Sequence, residues 1–226
     1  MESMNNKERT GANGKSKFSP LFTLLFFALV FNGCSNDDKL PTLVSGGFNG
    51  TITATVDAED WDLTSIRWVV PWNEPSIECN SGNCSLLGEQ MGDEVSFSNN
   101  RFTISLPDPP PSGIDKVDVK YAFENFLNIS GKLTYSNPDV QVVDVDFLAH
   151  TGNGFAGYFL NASSDKKTIC LYVYAEGDVT ITGGTNISVS LKRGWNRIYY
   201  TKGGNGNYTT KAPDSDMKWY FEDFGI

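Results

Sequence analysis

The residues of this chain that could carry out acid–base chemistry are few. His150 is the single histidine among 226 residues, which excludes a histidine cluster around a metal ion. A nucleophilic triad would need His150 itself as the base, and the chain has no Gly-x-Ser-x-Gly nucleophile elbow. His150 follows an alternating apolar run and precedes a glycine-containing loop, so we expect it at the edge of the core. The sequence predicts no catalytic residue.

Carboxylates are concentrated in one short segment, Asp57-Ala-Glu59-Asp60-Trp61-Asp62. Their oxygens could bind calcium, but the segment lacks the glycine and the terminal glutamate of an EF-hand loop. A solvated turn between two strands explains the same residues. The sequence therefore predicts neither a metal site nor a cofactor.

The segment Gly152-Asn-Gly154-Phe-Ala-Gly157 comes close to a dinucleotide-binding motif, in which glycines let a pyrophosphate approach the N-terminus of a helix. The preceding run alternates Asp144 and Asp146 with apolar residues. A parallel sheet covered by helices needs apolar residues on both faces instead. We therefore interpret these glycines as hairpin residues.

Two tryptophans lie in expected loops with polar neighbours. Trp61 belongs to the acidic segment, and Trp72 is followed by Asn73 and Glu74 between two prolines. A loop tryptophan either stacks on a sugar or a protein partner, or folds back onto the sheet. Our candidate ligand-binding residues are Trp72, Asn73, Glu74 and Trp61. Trp72 is the better candidate because the flanking prolines restrict its backbone.

Three cysteines follow the N-terminal region. Cys79 and Cys84 flank Asn-Ser-Gly-Asn, a segment that favours a turn, and an oxidising compartment would permit a disulfide between them. Closing so short a loop stabilises a fold by about 2 kcal/mol in the chain-entropy model. Cys170 lies within an apolar run and is predicted to be a buried free thiol.

The N-terminus has the features of an export signal. Basic residues precede an apolar run from Phe18 to Phe31, which is shorter than the ~20 residues that cross a bilayer as a helix but has the length of a signal-peptide core. Gly33-Cys34 follows, and this ending resembles a bacterial lipobox, although Phe31 and Asn32 depart from the strictest pattern. The resemblance implies cleavage before Cys34 and a lipid such as palmitate on that cysteine.

An acidic run, Ser35-Asn-Asp-Asp-Lys39, comes directly after the cysteine. It resembles the surface-export signal of Bacteroidetes-type lipoproteins, which implies an outer-membrane protein displayed at the cell surface. A periplasm-facing anchor and a soluble secreted protein are the alternatives.

We divide the chain into a lipoprotein signal peptide (1–33), a lipidated tether (34–46) and a single β domain (47–226). The last segment is long enough for one domain with its own core. The formal net charge of −9 argues against nucleic acid and anionic membrane surfaces as partners. The expected membrane contact is the N-terminal lipid.

Nearly every apolar run in the domain has a period of two, which is typical of antiparallel sheets with one apolar and one wet face. Short strands between glycine-rich turns predict an all-β fold, either an antiparallel β-sandwich or a partly closed barrel. At most one short helix is expected, around Ile114–Leu127. Three tryptophans at inward positions are expected in the core: Trp68, Trp195 and Trp219.

One hairpin can be assigned a register from the sequence. A two-residue Asn99-Asn100 turn pairs Ser98 with Arg101, and asparagine tolerates the positive φ that such turns require. In this register Phe97 faces Phe102, and the residues beyond them, Val95 and Ile104, share the same side of the ribbon.

Two C-terminal segments, Leu191-Lys-Arg-Gly-Trp195-Asn-Arg-Ile-Tyr199 and Lys218-Trp-Tyr-Phe221, resemble the ending of small Bacteroidetes-type surface lipoproteins of unassigned role. The opening Ile52–Val56 and the strand pair Tyr172–Gly183 are similar to the same family. The resemblance covers about half of the mature chain and implies no particular chemistry.

The sequence thus predicts a lipid-anchored extracytoplasmic β module that binds or adheres at the cell surface, with a glycan or a surface protein as its ligand. The alternative is a structural or assembly subunit of fimbrial type, in which strands pair between chains. An enzyme is the third alternative, and it would need a deep pocket that holds His150 or two facing carboxylates.

Overall fold

The structure is a computed structural model of the chain and describes residues 48–58, 61–71, 76–80, 83–87, 92–126, 129, 131–184, 186–203 and 207–223. The predicted signal peptide and tether, including Cys34, lie outside the described residues. Trp72, Asn73 and Glu74 lie outside them as well.

The described residues form an all-β fold with one short helical segment, which confirms the predicted fold class. The first eight strands are β1 (Thr51–Asp57), β2 (Leu63–Val69), β3 (Ser76–Asn80), β4 (Asn83–Leu87), β5 (Val95–Ser96), β6 (Arg101–Ser105), β7 (Val117–Asp118) and β8 (Leu133–Tyr135). The other eight are β9 (Gln141–Thr151), β10 (Gly154–Ser163), β11 (Thr168–Ala175), β12 (Val179–Gly183), β13 (Ile187–Leu191), β14 (Gly194–Thr201), β15 (Asn207–Thr209) and β16 (Met217–Asp223).

The helical segment consists of α1 (Val119–Tyr121), which continues as a π-helical turn (Ala122–Phe126). It lies within the predicted range Ile114–Leu127 but is shorter, because the residues before it form the short strand β7. In the described ranges, no helix is long and apolar enough to span a bilayer.

One large sheet contains 14 strands in the order β6-β1-β16-β10-β9-β11-β14-β15-β13-β12-β8, with β2, β5 and β7 attached through β9. The C-terminal half of β9 pairs with β10 and β2, and its N-terminal half pairs with β11 and β7. Two groups of strands therefore share β9. This arrangement is consistent with a sandwich, and the described strands do not close into a barrel.

The first core lies between these two groups of strands and is rich in aromatic rings. Phe102 and Phe147 meet Trp219 with centroid distances of 5.2 and 5.4 Å. Trp68, Trp195 and Trp219 are all buried, as predicted. Alternation along each strand supplies this core, because every second side chain points to the same face.

A second core covers the other face of β11 and β14, between these strands, the β12–β13 pair and the helical segment. In β11, Tyr172 belongs to the first core and Val173 to the second. Both faces of this strand are therefore buried, whereas the period-two pattern predicts strands with one buried and one solvent-exposed face.

The sheet is mixed rather than wholly antiparallel. β16 pairs with β1 in parallel, and β15 pairs with β13 in parallel, whereas the other strand pairs are antiparallel. The two strands of each parallel pair are not consecutive in the chain, so local turn signals could not predict these pairs.

The Asn99-Asn100 turn forms as predicted, with φ angles of 52° and 57°. Ser98 and Arg101 each donate a backbone hydrogen bond to the other, at 3.1 and 2.9 Å. Beyond this pair the two strands form no ladder with each other, since β5 pairs with β2 while β6 pairs with β1. The predicted common side is confirmed, because Phe97, Phe102 and Ile104 are buried in the first core and Val95 packs against it. The strands part because each finds a longer partner, although Phe97 and Phe102 still pack on the same ring, that of Phe159.

Candidate functional site

A shallow, open groove of about 610 Å³ lies on the surface of the described structure. It lies where the start of β11 and the strands β14, β15 and β13 come together. Seven hydroxyl or amide side chains characterise its lining: Thr168, Asn186, Ser188, Tyr199, Thr201, Asn207 and Thr209.

The short strand β15 creates this grouping, because it pairs with both β14 and β13. Tyr199 of β14 is directly opposite Thr209 of β15, which is in turn in register with Ser188 of β13. Thr201 is opposite Thr168 on one side and Asn207 on the other. Residues that are directly opposite point to the same face of a sheet, so the fold gathers these side chains on one surface.

Two backbone segments border the groove. On one side, residues 211–214 follow β15, and the Lys211 amide donates a hydrogen bond of 3.0 Å to Thr209 Oγ1. On the other side stand Gly183 and Gly184, with φ angles of 129° and 56°. A Cβ atom at Gly183 would lie 2.3 Å from the carbonyl oxygen of Lys132, so this border requires glycine.

The groove carries little net charge. Lys211 and Asp214 are the ionisable residues of its border, and both are exposed. Burial raises the pKa of the Tyr199 phenol, with a smaller contribution from Cys170, so this hydroxyl stays protonated at neutral pH. Thr168 Oγ1 and Thr201 Oγ1 lie 3.0 Å apart. The surface can therefore donate and accept hydrogen bonds without attracting ions of either sign.

Trp61 lies elsewhere, between β1 and β2. Its side chain is 43% exposed, and its ring packs edge-on against Phe221 of β16 with a centroid distance of 4.8 Å. Trp61 thus rests partly on the sheet while keeping an exposed ring, and it does not line the groove.

The predicted disulfide falls in the β3–β4 hairpin, whose register pairs Cys79 with Cys84. The bridge stays a prediction. Cys170 is a free thiol and is buried in β11, and burial raises its pKa to about 12.

His150 lies near the end of β9, partly buried against Phe155. Ser65 stands opposite it on β2 and donates a hydrogen bond to Glu94, which also pairs with Arg67 at 3.0 Å. Burial and the Arg67 charge lower the pKa of His150, against the opposing effect of Glu94. Ser65 is 4% exposed, so this cluster does not present an accessible nucleophile.

The glycine motif forms the β9–β10 hairpin, as predicted from the sequence. Thr151 pairs with Gly154 across the two-residue Gly152-Asn153 turn. Gly157 is needed for a different reason, since a Cβ atom there would lie 2.2 Å from the carbonyl oxygen of Glu222 in β16. The strand after the turn is antiparallel, so no helix N-terminus faces these glycines.

Among the described residues, no group of three or more His, Cys, Asp and Glu side chains is arranged to hold a metal ion. The acidic segment is described only in part, with a backbone hydrogen bond of 3.2 Å from the Trp61 amide to the Ala58 carbonyl. This bond is typical of a turn between two strands.

Sequence reasoning missed the groove residues. Single threonine, serine and asparagine residues are ordinary at the wet positions of strands, and among the polar groove residues Tyr199 alone belongs to a segment singled out in the sequence, Leu191–Tyr199. The one usable signal is the alternation of Ser188 and Ser190 with apolar residues in β13, which marks a wet face but not its neighbours.

The chain matches no protein-family model, and neither the curated proteins nor the solved structures include a match to it.

Proposed function

We propose that this protein is a lipid-anchored extracytoplasmic β module that binds a ligand at the cell surface. The observation that carries the proposal is the open polar groove over β14, β15 and β13. Its side chains stand on paired strands, so their positions are fixed before a ligand arrives, and a preorganised site loses less entropy on binding.

The N-terminal sequence supports the lipid anchor. The apolar run Phe18–Phe31 and the Gly33-Cys34 pair favour cleavage and lipidation at Cys34, and residues 35–46 then form a tether to the domain. A tether and a rigid domain with an open surface suit capture of a glycan or a surface protein. The net charge of −9 disfavours nucleic acid.

The second candidate is an assembly subunit, and the position of β6 favours it. β6 is the last strand at one end of the sheet order, and exposed edge strands can pair with strands of another chain. Solution size separates the two functions, because an assembly subunit would form polymers and a binding module would stay monomeric.

An enzyme receives the least support. His150 does not line the groove, and the groove border contains one carboxylate, that of Asp214. The groove is also shallow, whereas a catalytic pair of acids would have to face each other across an enclosed site.

The test is ligand capture by the purified full-length lipoprotein on glycan and surface-protein arrays. Ser188 is exposed in the groove, and Ser188→Tyr should obstruct part of the groove and weaken capture by about tenfold or more. Thr103→Tyr is the matched control, since Thr103 is an exposed strand residue of β6 outside the groove. Equal loss in both variants, or unchanged capture by Ser188→Tyr, would contradict the proposal.

A further inference from the structure

We infer that the groove binds a neutral oligosaccharide. This inference rests on the proposed binding function and narrows its ligand to one chemical class. It follows from three features of the groove: the hydrogen-bonding character of the lining, its balance of charge, and its shape.

The lining side chains match the hydroxyl groups of sugars. The hydroxyls of Ser188, Thr201 and Thr209 can each donate and accept a hydrogen bond, and the amide of Asn207 does both through two different atoms. Sugar hydroxyls have the same dual capacity. A largely apolar ligand would leave these groups without partners once water is displaced, and each buried polar group without a partner carries a cost.

The charges of the groove favour a neutral ligand. One cation, Lys211, and one anion, Asp214, border it, so neither sign dominates. Recognition of phosphate, sulfate or carboxylate groups depends on clustered arginine or lysine side chains. Asp214 and the chain's net charge of −9 would instead repel an anionic sugar.

The arrangement of the lining suits a chain of sugars rather than one ring. Thr168, Thr201 and Asn207 form a row across β11, β14 and β15, and two strand spacings give this row a length of about 10 Å. A second row, Tyr199, Thr209 and Ser188, runs beside it, two residues or about 7 Å away along the strands. A surface of this size exceeds a monosaccharide.

The Tyr199 ring contributes little stacking surface, because its side chain is 8% exposed. Hydrogen bonds should therefore dominate recognition, and substitution of a single hydroxyl should be measurable. Thr201→Val removes one hydroxyl while keeping the branched shape of the side chain. The matched control is Thr103→Val, because Thr103 belongs to a similar hydroxyl pair, with Thr53 at 3.1 Å, outside the groove.

The experiment is isothermal titration calorimetry of the full-length lipoprotein in detergent micelles. The probes are neutral gluco-, manno- and xylo-oligosaccharides and, at matched length, oligosaccharides of uronic acids. At least one neutral series should bind. Thr201→Val should weaken that binding roughly fivefold, as expected for one hydrogen bond, while Thr103→Val stays within about twofold of the wild type.

Preference for the uronic-acid series, or equal binding by wild type and Thr201→Val, would overturn the inference. Circular dichroism melting of both valine variants shows whether either is misfolded, and the exposed Ser188→Tyr variant provides a second test within the groove. If Ser188→Tyr abolishes capture of a protein ligand and no saccharide binds, the oligosaccharide inference fails while the proposed binding function stands. If neither saccharide nor protein is captured, both fail.

Discussion

Asp146 occupies a polar position of β9, yet it is only partly exposed. Burial raises the pKa of its carboxyl to about 6 from an ordinary value of 3.8. The folded protein thus favours the protonated acid, whereas the unfolded chain ionises at lower pH. The favourable contribution of the protonated Asp146 carboxyl to the free energy of unfolding is fully present below pH about 4. It is lost as the pH rises through the folded-state pKa of about 6, because the buried carboxyl then ionises.

We predict that Asp146→Asn raises the free energy of unfolding at pH 7 by about 1–2 kcal/mol, since one pKa unit corresponds to about 1.4 kcal/mol and residual solvent access reduces the effect. The difference between variant and wild type should vanish near pH 4. Urea unfolding at both pH values measures this. Asp178→Asn is the control of opposite sign, because a hydrogen bond from Lys192 lowers the pKa of Asp178. A wild type as stable as Asp146→Asn at pH 7 would contradict the assignment.

At the scale of elements, the β3–β4 hairpin carries the disulfide prediction. Its register places Cys79 opposite Cys84, while Cys170 is free and buried in β11. Unfolded without reductant, the protein should expose one reactive thiol. After reduction it should expose three, because the proposed lipid would block the fourth cysteine, Cys34. Thiol titration in denaturant counts them.

The matched variant for this count is Cys79→Ser, which should leave two reactive thiols without reductant by releasing Cys84. In the folded wild type Cys170 should resist alkylation, since burial raises its pKa to about 12 and thiolates are the reactive form. Three thiols before reduction, or a peptide that links Cys170 to either hairpin cysteine, would disprove the pairing.

Local patterns explain which elements the sequence could predict. The alternation in β1, β6 and β16 and the Asn99-Asn100 turn depend on adjacent residues, so these features follow from the sequence directly. The pairing of β5 with β2 and of β15 with β13 joins distant segments. No turn or period encodes such partners, so the sequence could not predict that the ladder between the two strands ends at Ser98 and Arg101.

The candidate site depends almost wholly on those distant pairings. Thr168 and Ser188 are unremarkable strand residues until β15 connects β14 to β13. The tryptophan-based candidates rested on residue type and local polarity. Trp61 packs against Phe221 outside the groove, Trp72 lies outside the described residues, and a ligand-binding role for either stays a prediction. Residue type alone cannot locate a polar groove that distant strands bring together.

At the scale of the whole molecule, the proposed function needs two separate parts, an N-terminal lipid and a binding groove on the β domain. The anchor residue Cys34 and the groove residue Ser188 lie in different segments of the chain, so each can be changed separately. Cys34→Ala should prevent acylation and leave the protein uncleaved or soluble, while Ser188→Tyr should leave acylation unchanged.

Capture of a fluorescent neutral oligosaccharide by intact cells tests both parts together, with surface protein counted by antibody. Cells with the wild type should bind the probe, and cells with Ser188→Tyr should display as much protein but bind about tenfold less probe. Cells with Cys34→Ala should show neither surface protein nor probe. Equal probe binding by wild-type and Ser188→Tyr cells, at equal display, would contradict a surface module that binds through this groove.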